Sequence, residues 1–157
     1  MIRLTLPYPI SANRYWASRV IKAKATGKWM ALTYITPEAK AYREEVALRV
    51  RVAGVREPLA GRVVLTIDLF PHRPQDWQTR MRKLGEAWDD SVQCIDLGNA
   101  EKVLSDALQG CAIGNDRGFW RIELNRREPD AAGARVEVTL APLAVASRQA
   151  DLLQAAA

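Results

Sequence analysis

Four polar residues of one short stretch, Asp96, Asn99, Lys102 and Asp106, together with Asp116 beyond it, have the types and spacing to work on phosphate. The apolar residues between them, Leu97, Ala100, Val103, Leu104, Ala107 and Leu108, recur at helical spacing. A helix over 97–109 is therefore expected, with Asp96 at its N-cap and Gly110 at its end. With Asp96 at zero and about 100° per residue, Asn99, Asp106 and Lys102 lie near 300°, 280° and 240°, one polar stripe. Leu97, Leu104 and Leu108 lie around 80–120° and face a core. Asp116 returns in the next connection. Clustered carboxylates hold a divalent cation through hard oxygens, and a nearby lysine can stabilise charge on a phosphate. Each residue also has a structural reading. Capping a helix, worth about 1 kcal/mol, accounts for Asp96 alone. An i, i+4 pair worth a few tenths of a kcal/mol accounts for Lys102 with Asp106.

The charge around this stretch is lopsided. Residues 1–83 carry sixteen Lys/Arg against six Asp/Glu, and residues 84–157 carry seven against twelve, which together give the net +5. From Glu86 to Asp116 there are seven acids and one base, Lys102. A basic half suits a phosphate backbone and an acidic pocket suits a cation; two unrelated solvated faces are the alternative. Residues 10–35 read as a long basic loop in which Asn13, Arg14, Tyr15 and Trp16 precede Arg19, Lys22, Lys24 and Lys28. Basic residues interleaved with aromatics fit phosphates and splayed bases; alternatively Tyr15 and Trp16 cap the core while the lysines solvate the loop.

The elements that would position these residues follow from periodicity. Ile2–Leu6 alternates as a strand, stopped by Pro7 and Pro9. Thr36-Pro37-Glu38 starts a helix whose buried face is Ala39, Tyr42, Val46, Val50 and Ala53, closed by Gly54. Residues 62–70 are a strand rich in β-branched residues, central to the sheet. In 71–94, Trp77, Met81, Leu84 and Trp88 form an amphipathic stripe, leaving Arg80, Arg82 and Lys83 on a solvated face or within reach of DNA. Residues 119–124 and 135–140 both alternate, with a turn through 128–133, and read as an antiparallel hairpin. The tail from Pro142 is Ala- and Gln-rich, a short surface helix or loose chain. The order implies one α+β domain over 1–141, a mixed sheet with helices packed against it.

Two cysteines and one histidine, without CxxC or HxH spacing, argue against structural zinc. Cys111 reads as a buried thiol, and no disulfide is demanded. Without an apolar run long enough to span a membrane, or a signal-peptide pattern, a cytoplasmic protein is expected.

These motifs resemble the RusA family of Holliday-junction resolvases, mostly phage and prophage endonucleases. Leu4-Thr5-Leu6-Pro7-Tyr8-Pro9 and Ser11-Ala12-Asn13-Arg14-Tyr15-Trp16 resemble the family's opening, and Thr36 through Arg43 its first helix. Its signature D-L-D-N-x-x-K-x-x-x-D-A-L is matched at Asp96, Leu97, Asn99, Lys102, Asp106, Ala107 and Leu108. Asn115-Asp116-Arg117-Gly118-Phe119 resembles the D-D-x-x-apolar that follows. The resemblance implies a homodimer on four-way junction DNA, nicking strands of like polarity in paired, symmetric fashion. It implies metal binding by Asp96 and Asp116, with Mg²⁺ or alternatively Mn²⁺, and a catalytic role for Lys102. Asn13, Arg14, Tyr15, Arg73 and Asn99 are the candidate DNA contacts. One departure stands out: the second Asp of D-L-D-N is Gly98, and the first of the later pair is Asn115. Glu101, near 140°, points away from Asn99; Asp89 and Asp90, in a 71–94 segment longer than the family's usual connection, would have to fold back to replace the missing ligand. A DNA-binding protein of the same fold that does not cut is the second reading, and a nucleic-acid-binding module without junction preference the third.

Overall fold

The computed structural model describes residues 1–144; beyond that point the tail, expected as a short surface helix or loose chain, lies outside them. β1 (Ile2–Pro7) runs into α1 (Ala12–Tyr15), one turn capped by Ser11. β2 (Trp16–Lys22) and β3 (Trp29–Ile35) follow, then α2 (Pro37–Val52). Thr36 caps α2 as expected, its hydroxyl accepting from the Ala39 N–H, and Ala39, Tyr42, Val46 and Val50 are its buried face. Gly54, at φ 81°, takes the left-handed position that ends it.

β4 (Val63–Phe70) leads to α3 (Trp77–Leu84), a 3₁₀ segment (Gly85–Ser91) and α4 (Leu97–Leu108). A 3₁₀ turn (Asp116–Gly118) then feeds β5 (Phe119–Arg126), and β6 (Arg135–Pro142) ends the described fold. The main sheet has the order β1-β6-β4-β5; β6 is antiparallel to both neighbours, and β5 is parallel to β4. Register places Leu65, Ile67 and Leu69 of β4 opposite Leu140, Val138 and Val136 of β6. These residues, with Leu4 and Leu6, meet the buried faces of α2 and of α4 (Ala100, Val103, Leu104, Ala107, Leu108) in one core. The result is a single small α+β domain, a mixed sheet with flanking helices. Among the described residues no helix is long and apolar enough to cross a membrane.

Three expectations are corrected. Residues 10–35 are not a loop: after α1 they form an antiparallel hairpin of seven rungs, Trp16 opposite Ile35 through Lys22 opposite Trp29. Most side chains on both its faces are exposed, so apolar–polar alternation, the usual strand signal, is absent. β5 and β6 are not a hairpin, because β4 lies between them. β6 buries Val136, Val138 and Leu140 and takes an interior place, whereas the largely exposed β5 takes the edge. Finally, the stripe from Trp77 to Trp88 breaks at Gly85, where φ is 63°. Met81 and Leu84 are exposed; Trp88, on the 3₁₀ segment, is buried, with its indole N–H donating to Glu128 at 2.9 Å. Arg80 turns inward along the surface, to Asp76 at 2.9 Å and the Ser91 carbonyl at 2.9 Å, and so pins the segment.

Candidate active site

α4 carries the candidate residues, and its two ends of chemistry open into different hollows. At its start, Asp96 is the N-cap: Oδ1 accepts the N–H of Gly98 at 2.8 Å and of Asn99 at 3.2 Å. Its other oxygen takes no hydrogen bond among the described residues. The approach to this cap is held by Tyr8, whose hydroxyl accepts the Ile95 N–H at 3.0 Å and lies 3.5 Å from the Cys94 sulfur. Burial, then the contact with Cys94, pushes the Tyr8 phenol up to about 12. Tyr8, Ser11, Arg14, Asp96 and Asn99 line this first hollow together. Arg14 also pairs with Glu38 at 2.8 Å, with both side chains well exposed.

The second hollow lies along the later turns of α4. Lys102, Asp106 and Asp116 line it with Glu101, Ser105 and the ring of Trp16. The Lys102–Asp106 pair expected from the i, i+4 spacing is not made. Asp106 instead accepts the Tyr15 hydroxyl and faces Arg43 at 3.8 Å. Lys102 is exposed and has no ion pair among the described residues. Asp116 opens the 3₁₀ turn before β5 and is exposed. Asn115 caps that turn, its Oδ1 accepting the Arg117 N–H at 2.9 Å. That is a task asparagine performs as well as aspartate.

Lys102 and Asp116 are thus brought together, and so are Asp96, Asn99 and Arg14. The two groups share α4 but not a hollow: Lys102 stands about 9 Å further along the helix axis than Asp96. Among the described residues no three His, Cys, Asp or Glu side chains gather where they could hold a metal ion. Asn13 is exposed beside the first hollow, its N–H bonded to Ser11 Oγ at 3.3 Å. Tyr15 is wholly buried, so the proposed base contact fails on geometry: its ring touches Trp16 at a centroid distance of 4.4 Å, and burial, followed by the bond to Asp106, raises its pKa. Arg73 lies over the Trp77 ring at 4.6 Å and lines neither hollow. Asp89 and Asp90 also line neither; the Asp89 and Val92 carbonyls are held by Arg126 at 2.7 Å and 2.9 Å.

Sequence reasoning set Glu101 aside on its helical angle, yet it lines the second hollow. It points away from Asn99, as the helical angle required, but β5 and Asp116 return on that side, and Ser105 Oγ donates to it at 2.7 Å. At Gly98 a Cβ would meet only Asp96 Oδ1, at 3.2 Å. A side chain at the position where the resemblance calls for a carboxylate therefore requires the capping Asp96 carboxylate to give way by a few tenths of an ångström.

The domain is a small α+β fold in which Asp96 and Asp116 are exposed at either side of α4 and Lys102, on α4, makes no ion pair among the described residues. Residues 7–141 match the family described as Endodeoxyribonuclease RusA. The match covers most of the chain, which belongs to that family, and membership points to nuclease function in DNA recombination. No curated protein matches the sequence.

Proposed function

We propose that the protein is a magnesium-dependent endonuclease that resolves four-way DNA junctions by paired nicks, two copies of the chain each supplying one site. What supports the reading is that Lys102, on α4, and Asp116, on the 3₁₀ turn that follows it, line one hollow in a chain of this family. The donor chemistry fits Mg²⁺. It favours one or two carboxylates and completes its shell with water and phosphate oxygens. Asp116 and the free oxygen of Asp96 are hard, exposed donors. When bound, the ion supplies polarisation of the scissile phosphate and a more acidic water.

The chain's own residues do the rest. Lys102, which makes no ion pair among the described residues, offers its ammonium where negative charge develops on the phosphate. Tyr15 and Arg43 keep Asp106 occupied and so keep Lys102 available. Asn99 and Arg14 offer N–H donors to the strand entering the first hollow. Trp16 and Phe119 wall the second hollow with apolar surface.

The test is a synthetic four-way junction incubated with the protein and Mg²⁺ or Mn²⁺. Paired symmetric nicks are expected, and Asp116→Asn and Lys102→Met abolish them while junction binding persists. A wild-type protein that shifts the junction on a gel but nicks it in neither metal overturns the enzyme reading. It would leave a branched-DNA-binding protein, the reading favoured by Gly98 and by the separation of Asp96 from Asp116 into two hollows.

A further inference from the structure

Beyond Trp16 at its base, the hairpin of β2 and β3 has no part in the chemistry above, yet it springs from the candidate site. Trp16, its first residue, lines the hollow of Lys102 and Asp116. The base is anchored: Trp16 and Ile35 pack on the core, and Thr36 N–H donates to the Tyr15 carbonyl at 3.0 Å. Six steps of about 3.4 Å from Ile35 to Trp29 carry the tip roughly 20 Å from that base. Along the way most side chains are exposed: Val20 is 68 % and Trp29 71 % exposed. Residues 16–35 hold four basic side chains, Arg19, Lys22, Lys24 and Lys28, and no acidic one. Lys22 and Trp29 form the last rung and share a face, and Lys24 and Lys28 lie in the turn beyond.

An exposed indole paired across the last rung with Lys22, next to a turn that carries Lys24 and Lys28 on an acid-free arm, is complementary to a polyanion that offers a flat aromatic surface. Bases inside a continuous duplex are stacked on one another and offer none. Bases at a strand crossover have lost part of their stacking. We propose that the β2–β3 hairpin is a substrate arm: Lys22, Lys24 and Lys28 grip phosphates, and Trp29 stacks on an unstacked base at the branch of the DNA. The proposal rests on the nuclease reading for its choice of polyanion, and it makes the arm the part that tells branched from linear DNA.

The experiment measures binding of the full chain, in EDTA, to a four-way junction and to linear duplex of the same composition across a range of salt. Binding in EDTA needs no cleavage, so it tests the arm separately from the enzyme reading. Trp29→Ala is expected to weaken junction binding about ten-fold or more, with linear duplex little changed and the salt slope preserved. Trp29→Phe restores most of the loss. Lys22→Ala, Lys24→Ala and Lys28→Ala together flatten the slope of log affinity against log salt by up to about 2.7, at roughly 0.9 for each phosphate left unneutralised. Circular dichroism confirms that each variant is folded. Wild-type affinity and slope in the folded variants overturn the proposal, whether or not the protein cuts. It is also overturned if sedimentation shows that Trp29→Ala dissociates a dimer and affinity falls only with that dissociation. The tip is then a contact between copies of the chain.

Discussion

The Tyr15 hydroxyl links a buried ring to the floor of the Lys102 hollow, so Tyr15→Phe tests both the packing and the chemistry. The substitution keeps the ring in its fully buried place and removes only the bond to Asp106. A hydrogen bond to a charged acceptor contributes about 1.5–3 kcal/mol. The Asp106 side chain is 32 % exposed and still faces Arg43; water refills the lost donor in part, which brings the expected cost to about 1–2 kcal/mol. For a chain of this size that is a fall in Tm of about 2–8 °C. The freed carboxylate then sits one turn from Lys102, at the i, i+4 spacing that favours a pair. Cleavage should fall because the lysine is drawn from the phosphate. Tyr15→Phe with Asp106→Asn should recover cleavage, since an amide carries no charge to hold it. Thermal melts and single-turnover junction cleavage provide both readouts. If Tyr15→Phe melts within about 1 °C of wild type and cuts at the same rate, Asp106 is not held by Tyr15 and the account of Lys102 fails.

Three further outcomes are expected. Asp96→Ala should lose about 0.5–2 kcal/mol through the missing cap, whereas Asp96→Asn keeps the cap and the stability; both should lose Mg²⁺-dependent nicking, and an Asn variant that cuts normally would remove Asp96 from the metal. Gly98→Asp, whose Cβ meets only Asp96 Oδ1 at 3.2 Å, should lower the Mg²⁺ concentration needed for half-maximal cleavage; an unchanged metal titration would show that this position lies outside the ion's reach. Tyr8, Tyr15 and Tyr42 all have raised pKa values, chiefly from burial. The unfolded chain therefore releases phenolic protons, above about pH 10, that the folded chain retains, so stability is full below that pH and falls as pH rises through it. Melts between pH 9 and 11 check the sign, and a Tm that is flat or rising across that interval contradicts it.

Much of this architecture is written in local signals. Thr36-Pro37 and Asp96 announce α2 and α4 through short-range caps, and the 3.6-residue recurrence of Tyr42, Val46 and Val50, and of Ala100, Val103, Leu104 and Ala107, marks the faces that are buried. β4 is legible from its run of β-branched residues. The residues that carry the family resemblance are linear patterns, and the match over 7–141 accords with them. These features depend on neighbours a few residues away, so sequence alone determines them.

Pairing between distant segments is a different matter. Nothing near β5 states that it will lie parallel to β4 rather than against β6; that follows from which strand can bury more apolar surface between two neighbours. The hairpin of β2 and β3 is invisible to periodicity because neither of its faces is broadly buried. The fate of the polar residues is settled the same way. Helical angles put Asp106 beside Lys102, but Tyr15 and Arg43, from other elements, claim it. The path of the chain after α4 brings Asp116 to Lys102 and Glu101, while Asp96 opens beside Tyr8 and Arg14. Spacing along one helix determines which residues share a stripe; only the packing of remote segments against it decides which of them face the same volume of space.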